Sequence, residues 1–232
     1  MDNQKILTVS DAVQDTLSKL DVDAVGVASL EDIKGTKLEE AALRLLPETH
    51  SIVVLAMEIY REILDQAKPE RKMGFSSMND LLDRNTDYLS GRLTKAAYDV
   101  AKVCHLNGLK ALPLPAAGCP TDTRFLQAVF SYKHAAQAAG LGHIGRSSLL
   151  ITPDYGPRVR LSCCLTEAIL KPTHTANIET CEDCAVCIDS CPSGALDRPQ
   201  EESYIINKFA CNAFRSASGG CSECMRVCPS GW

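Results

Sequence analysis

Long apolar runs are missing from this chain. The longest, Ile52 to Met57 within SIVVLAM, falls far short of the roughly 20 residues that a membrane-spanning helix needs. A basic run or stripe is missing as well: 24 lysines and arginines are scattered among 29 acidic residues, for a formal charge of -5. Nothing in that balance marks a phosphate-tracking surface, so the composition excludes nucleic acid as an expected partner. The opening MDNQKILTVSDAVQDTLSKL has no basic segment feeding an apolar stretch, and so does not read as a secretory signal. The expectation is a cytoplasmic protein with no membrane partner.

Cysteine, by contrast, is abundant. There are 12 in 232 residues, and eight of them fall at or after Cys181. An intracellular chain of this size does not need disulfides to fold, so the crowding points to metal. Cys181, Cys184, Cys187 and Cys191-Pro192 form C-x2-C-x2-C-x3-C-P, a spacing already known from bacterial two-cluster ferredoxins and here matched to them. In that pattern three thiolates wrap one cluster and the fourth, carried off by the turn before proline, ligates the other. Cys211, Cys221, Cys224 and Cys228-Pro229 supply the partner set. The crossing rule then gives Cys181, Cys184, Cys187 and Cys228 to one [4Fe-4S] cluster, and Cys191, Cys211, Cys221 and Cys224 to a second. Cys211 stands outside any tight motif. Paired zinc sites are the alternative, although they seldom use C-x2-C-x2-C.

Upstream, helical and strand patterns alternate. Helices are predicted over Ser10–Leu20, Leu38–Leu46, Ser77–Asn107 and Arg124–Ala139, and strands over Val22–Leu30, Ser51–Met57 and the stretch LKALPLPA. The alternation implies an α/β sandwich on a mixed sheet with some parallel strands, over residues 1–172. A small bacterial-ferredoxin-like 2[4Fe-4S] domain over 173–232 follows, where cysteines rather than periodicity set the spacing.

The dense stretch AAGLGHIGRSSLLITPDYGPRVRL packs three glycines into six residues before Arg146. Gly140-Leu141-Gly142 follows a predicted helix, so the dinucleotide fingerprint fails in context. Such a loop either brings backbone amides to a polar ligand or makes a tight structural turn. Arg158 and Arg160, two apart on a short strand, either bind an anionic group or line a solvated edge. Cys163 and Cys164 sit on that strand, where alternation points one inward and one outward.

With the strand SIVVLAMEIY, the helix around Tyr88, the loop AGLGHIGRSSLLITP and the paired cysteine signatures, the chain resembles the corrinoid-dependent reductases, which comprise the epoxyqueuosine reductases and the reductive dehalogenases. GRSSLLITPDYGPRVRL is more similar to the dehalogenase branch. The resemblance implies a base-off cobalamin on the α/β domain, fed single electrons by the nearer cluster and reducing a small organic substrate. It implies that Gly140, Leu141, Gly142, His143, Gly145 and Arg146 line the corrinoid's nucleotide tail or ring edge, with Arg158 as a contact for an anionic group. For a proton donor it implies either an aspartate, for which Asp122 is the nearest counterpart, or a tyrosine beside a cation. Tyr132 with Lys133, and Arg160 as the cation, fill the second role. The helical-repeat extension with which epoxyqueuosine reductases receive tRNA has no counterpart here, which joins the charge balance in arguing against nucleic acid. Partners are therefore expected to be a corrinoid and either a small-molecule substrate or a redox protein. Two alternatives stay open: an electron-transfer or corrinoid-handling protein with no substrate of its own, and a ferredoxin-like protein without corrinoid.

Overall fold

The protein was analysed as a computed structural model, which describes residues 3–67, 79–117, 119–173, 181, 183–196 and 206–231. In chain order the elements are α1 (Asn3–Leu17), β1 (Ala24–Ser29), α2 (Lys37–Leu45), β2 (Ser51–Glu58), α3 (Arg61–Gln66), α4 (Asn79–Leu106) and β3 (Ala111–Leu114). There follow β4 (Thr121–Asp122), β5 (Gln127–Ala128), α5 (Tyr132–Ala138), β6 (His143–Ile144), β7 (Leu150–Ile151) and β8 (Val159–Thr166). Three helices close the series: α6 (Val186–Asp189), α7 (Lys208–Ser218) and α8 (Glu223–Arg226). Among the described residues no helix is long and apolar enough to cross a membrane.

The chain divides into two compact, discontinuous units, one of 1–57, 89–141 and 160–176 and the other of 58–88, 142–159 and 177–232. The first is an α/β sandwich on a four-stranded sheet of order β1-β2-β8-β3. β2 is buried on both faces, as its unbroken apolar run requires of an inner strand. β3 lies at the edge, where Pro113 costs no ladder hydrogen bond. Along β8 the side chains alternate. Arg160 donates to Ser90 Oγ (3.1 Å), Ser162 donates to the Leu93 carbonyl (3.1 Å), and Thr166 Oγ1 lies 3.2 Å from Cys104 Sγ, so this face meets α4. Cys163 points the other way, toward Cys119 and the α5 side. Helices therefore cover both faces, and Cys163 and Cys164 are both buried, contrary to the expectation of one inward and one outward.

Two expectations need correction. The sheet is not mixed: β1 pairs β2 antiparallel and β3 pairs β8 antiparallel, while bonds from the His50 amide to the Thr166 carbonyl and from the Ile59 amide to the Arg158 carbonyl run β8 against β2. The α4 crossover does join strands of one direction, but β8 inserts between β2 and β3 in the opposite sense. The helix predicted from Arg124 begins only at Tyr132. Asp122 Oδ1 accepts from the Arg124 amide at 3.0 Å and Leu126 takes φ 49°, so residues 121–128 close as a β4–β5 hairpin.

The second unit is built on short pieces. β6 and β7 form a hairpin with His143 opposite Ile151 and Ile144 opposite Leu150. Its tip, residues 145–149, is a tight turn in which the Gly145 amide reaches the Leu149 carbonyl and the Ser148 amide reaches that of Gly145. α3, α6, α7 and α8 complete the unit. The four-residue α6 and α8 carry Cys187 and Cys224.

Candidate metal centre

Cys181, Cys184 and Cys187 of the first motif and Cys228 of the second line one small, partly open cavity, together with Arg146, Ser147, Ile151, Pro229 and Ser230. Burial pushes the Cys187 thiol up to about 11, and Cys181, Cys228 and Cys184 push it in the same direction. The second set shows the same mutual influence. Cys224 is pushed up to about 12, first by burial and then by Cys221, Cys187, Cys211 and Cys191. Cys211 is raised by burial, with Cys221 and Cys191 adding to it. Cys191 differs from these. Burial acts upward on it, but the Ser193 hydroxyl and the amides of Ser193, Ala195 and Leu196 outweigh burial and lower its value. Clustered thiols that raise one another's pKa resist ionisation until a cation takes up their charge. Among the described residues no three or more His, Cys, Asp or Glu side chains are placed to hold a metal ion. The cavity's four thiols stand around its walls.

The glycine-rich stretch forms a wall of this cavity. A Cβ on Gly145 would lie 2.7 Å from Ile151 Cγ1 and 3.2 Å from Cys181 Sγ, so glycine lets the turn pack closely on Ile151 and on the first cysteine. Next to it, Arg146 Nη1 donates to the Cys184 carbonyl at 2.9 Å. Arg158 is buried, paired with Glu58 at 2.5 Å, and donates through Nη2 to the Gly231 carbonyl at 2.7 Å. That carbonyl belongs to the turn after Cys228. There Gly156 and Gly231 meet back to back: a Cβ on Gly156 would fall 2.0 Å from the Ser230 carbonyl oxygen.

These contacts bear on the residues named for a corrinoid. Gly142 packs its backbone on Ile151, Leu141 packs on Gly26, and Gly140, at φ 75°, ends the turn after α5. His143 pairs with Ile151 across the hairpin, and burial lowers its imidazole pKa. The glycines are thus used for close approach of protein to protein, and the two arginines hold carbonyls of the cysteine-bearing segments.

The donor candidates lie in the sandwich. The Tyr132 hydroxyl donates to the Pro115 carbonyl at 2.6 Å, and burial, then Cys119 and Cys163, raises its pKa; the expected cation does not figure. Asp122 is held by Arg124 through Oδ1 (3.0 Å) and Oδ2 (2.7 Å), which lowers its pKa and keeps it a carboxylate. Arg160 is bound to Ser90. Lys133 occupies the first turn of α5, half-buried. Tyr132, Asp122 and Arg160 thus each meet a different protein partner. Sequence reasoning missed Glu58 as the counter-charge of Arg158, 100 residues away, because no local pattern links them.

No protein-family model matches the chain. Over 157 residues, 59% of the chain, it is 31% identical to a tetrachloroethene reductive dehalogenase of Desulfitobacterium hafniense, of which the match spans 26%. Over 111 residues, 43% of the chain, it is 31% identical to the epoxyqueuosine reductase of Bacillus subtilis, of which the match spans 28%. The chain thus spans only about a quarter of the curated relatives it matches. A solved reductive dehalogenase, described as suggesting a mechanism for B12-dependent dehalogenation, superposes with a TM-score of 0.66 at 19% identity, covering 96% of this chain and 32% of that one. Over part of its length the chain is thus similar in sequence to reductive dehalogenases and epoxyqueuosine reductases, and its fold is that of solved members of both.

One expectation falls on this comparison. An epoxyqueuosine reductase of the same fold (TM-score 0.58, 19% identity, covering 97% of this chain and 66% of that one) was crystallised with an epoxyqueuosine-modified stem loop of tRNA-Tyr. The exclusion of nucleic acid from net charge is therefore withdrawn. A stem loop is recognised by local shape and by splayed bases, which a whole-chain charge balance does not report.

Proposed function

We propose that this chain is an iron–sulfur oxidoreductase that passes single electrons through two [4Fe-4S] clusters. One cluster is held by Cys181, Cys184, Cys187 and Cys228, and the other by Cys191, Cys211, Cys221 and Cys224. The observation that carries this reading is the single cavity walled by three cysteines of the first motif and one of the second. A zinc ion would need its thiolates converging at about 2.3 Å from one point. A multi-iron cluster takes its thiolates from around a larger void, and the lining of one cavity by all four supports that choice. The segment 173–232 then acts as the ferredoxin-like part and 1–172 as the α/β part. The four cysteines outside these sets, Cys104, Cys119, Cys163 and Cys164, stand as thiols, which suits a reducing cytoplasm.

The likeness to a B12-dependent dehalogenase supports a corrinoid as the acceptor, with a small organic substrate beyond it. A second reading, electron transfer to a partner without a substrate, is favoured by Asp122 and Tyr132, whose polar ends are both held by protein. Anaerobic reconstitution with iron, sulfide and hydroxocobalamin, followed by metal counting, separates these readings. About eight irons per chain with cobalt retained supports the corrinoid reductase, and turnover is then assayed with an organohalide and with an epoxide-bearing RNA stem loop. About eight irons without cobalt supports the electron carrier. Zinc without iron rejects both.

A further inference from the structure

The hairpin at residues 143–151 offers an arginine to the cavity of Cys181, Cys184, Cys187 and Cys228. Arg146 lines that cavity beside the four thiols, and its Nη1 donates to the carbonyl of Cys184. The chain is shaped to bring it there. Gly145, immediately before it, allows the turn to press against the Cys181 sulfur, and Ser148, within the same turn, holds a left-handed φ of 60° that closes it. Ser147, also on the wall, is buried, with its hydroxyl accepting from the Leu149 amide at 3.4 Å. A left-handed serine and a glycine with no room for a methyl both cost stability, and both serve to set Arg146 at the cluster wall.

We infer that Arg146 is a positioning residue that sets the reduction potential of the cluster in this cavity, and does so independently of any corrinoid. The inference rests on the reading that these four cysteines hold a cluster. Reduction adds one electron, and so one negative charge, to a site already negative from its four thiolates. A guanidinium on the wall stabilises the reduced form more than the oxidised one and raises the potential. Net charge and hydrogen bonding near the sulfurs are established determinants of cluster potential. Arg146 acts through both, as a cation on the wall and as the donor that fixes the Cys184 peptide.

The test is a dithionite titration of the reconstituted whole chain followed by electron paramagnetic resonance, in wild type, Arg146→Gln and Arg146→Lys. In Arg146→Gln, with iron content unchanged, one of the two cluster transitions is expected to move to a more negative potential while the other stays in place. Arg146→Lys keeps the charge and should return that transition most of the way. If Arg146→Gln sheds one cluster, the lysine variant decides: a retained cluster near the wild-type potential supports the role, and a cluster lost there too overturns it. Full iron with both transitions unmoved in Arg146→Gln also overturns it. Wild-type protein that binds no iron would instead overturn the cluster reading itself, and the iron count reports that separately.

Discussion

Gly145 carries a hydrogen where any other residue would place a methyl 3.2 Å from the Cys181 sulfur and 2.7 Å from Ile151. Gly145→Ala should therefore overpack the hairpin against the cavity at a cost of roughly 1–3 kcal/mol. Iron retained after gel filtration of the reconstituted variant should fall below wild type. A second residue-scale expectation concerns the sandwich, where burial raises the thiols of Cys104, Cys163 and Cys164 above their ordinary value of 9.0. Below that pH the folded and unfolded chains both keep these protons. Above it the unfolded chain releases them while the folded chain does not, so stability drops as pH rises past 9, by up to about 1.4 kcal/mol per unit for each thiol. Urea unfolding at pH 8 and pH 10 should show a smaller alkaline loss in Cys164→Ala than in wild type. The joining of Cys181, Cys184, Cys187 and Cys228 at one cavity was legible in the sequence, because the two cysteine motifs have fixed short spacings that imply such a crossing. The targets of Arg146 and Arg158 were not, because a long side chain can reach any carbonyl that the fold brings near.

Elements with strong periodicity were readable and those set by one local bond were not. α2 begins behind Thr36, whose hydroxyl accepts from the Glu39 amide at 3.2 Å, in a T-x-x-E capping arrangement. α4 shows buried Leu93, Ala97, Val100 and Cys104 at helical spacing, and it ends before Gly108 as expected. The β4–β5 hairpin escaped notice because RFLQAVF carries apolar residues at spacings that also suit a helix, while the turn is imposed by Asp122 and a left-handed Leu126. Leucine at φ 49° sits in a region that L-residues other than Gly, Asn and Asp avoid, at a cost of about 1–2 kcal/mol. Leu126→Asn should accordingly raise the melting temperature by a few degrees in a thermal scan, and an unchanged or lower value would count against strain at that turn. The β6–β7 hairpin was hidden for another reason. Its glycines suggested an open ligand loop, and only the pairing of His143 with Ile151 shows them pressed against protein.

For the whole molecule, the α/β class was legible from alternating patterns, and the strand directions were not. Insertion of β8 between β2 and β3 is a long-range choice that no local pattern records. The crossed assignment of cysteines makes a prediction at this scale. Cys228→Ser and Cys191→Ser, although they alter opposite motifs, should each remove one whole cluster and leave about four of eight irons. Their residual resonance signals should differ, since each variant spares a different cluster. Identical residual signals would reject the crossing. The cavity that unites Cys187 with Cys228 also has a consequence for biosynthesis. Cys228 leaves the ribosome 41 residues after Cys187, an interval of roughly 2–8 s at ordinary translation rates. If these four thiols hold the proposed cluster, three of them wait through that interval open to oxygen and stray zinc, and faithful loading then requires iron delivery after synthesis has passed Cys228.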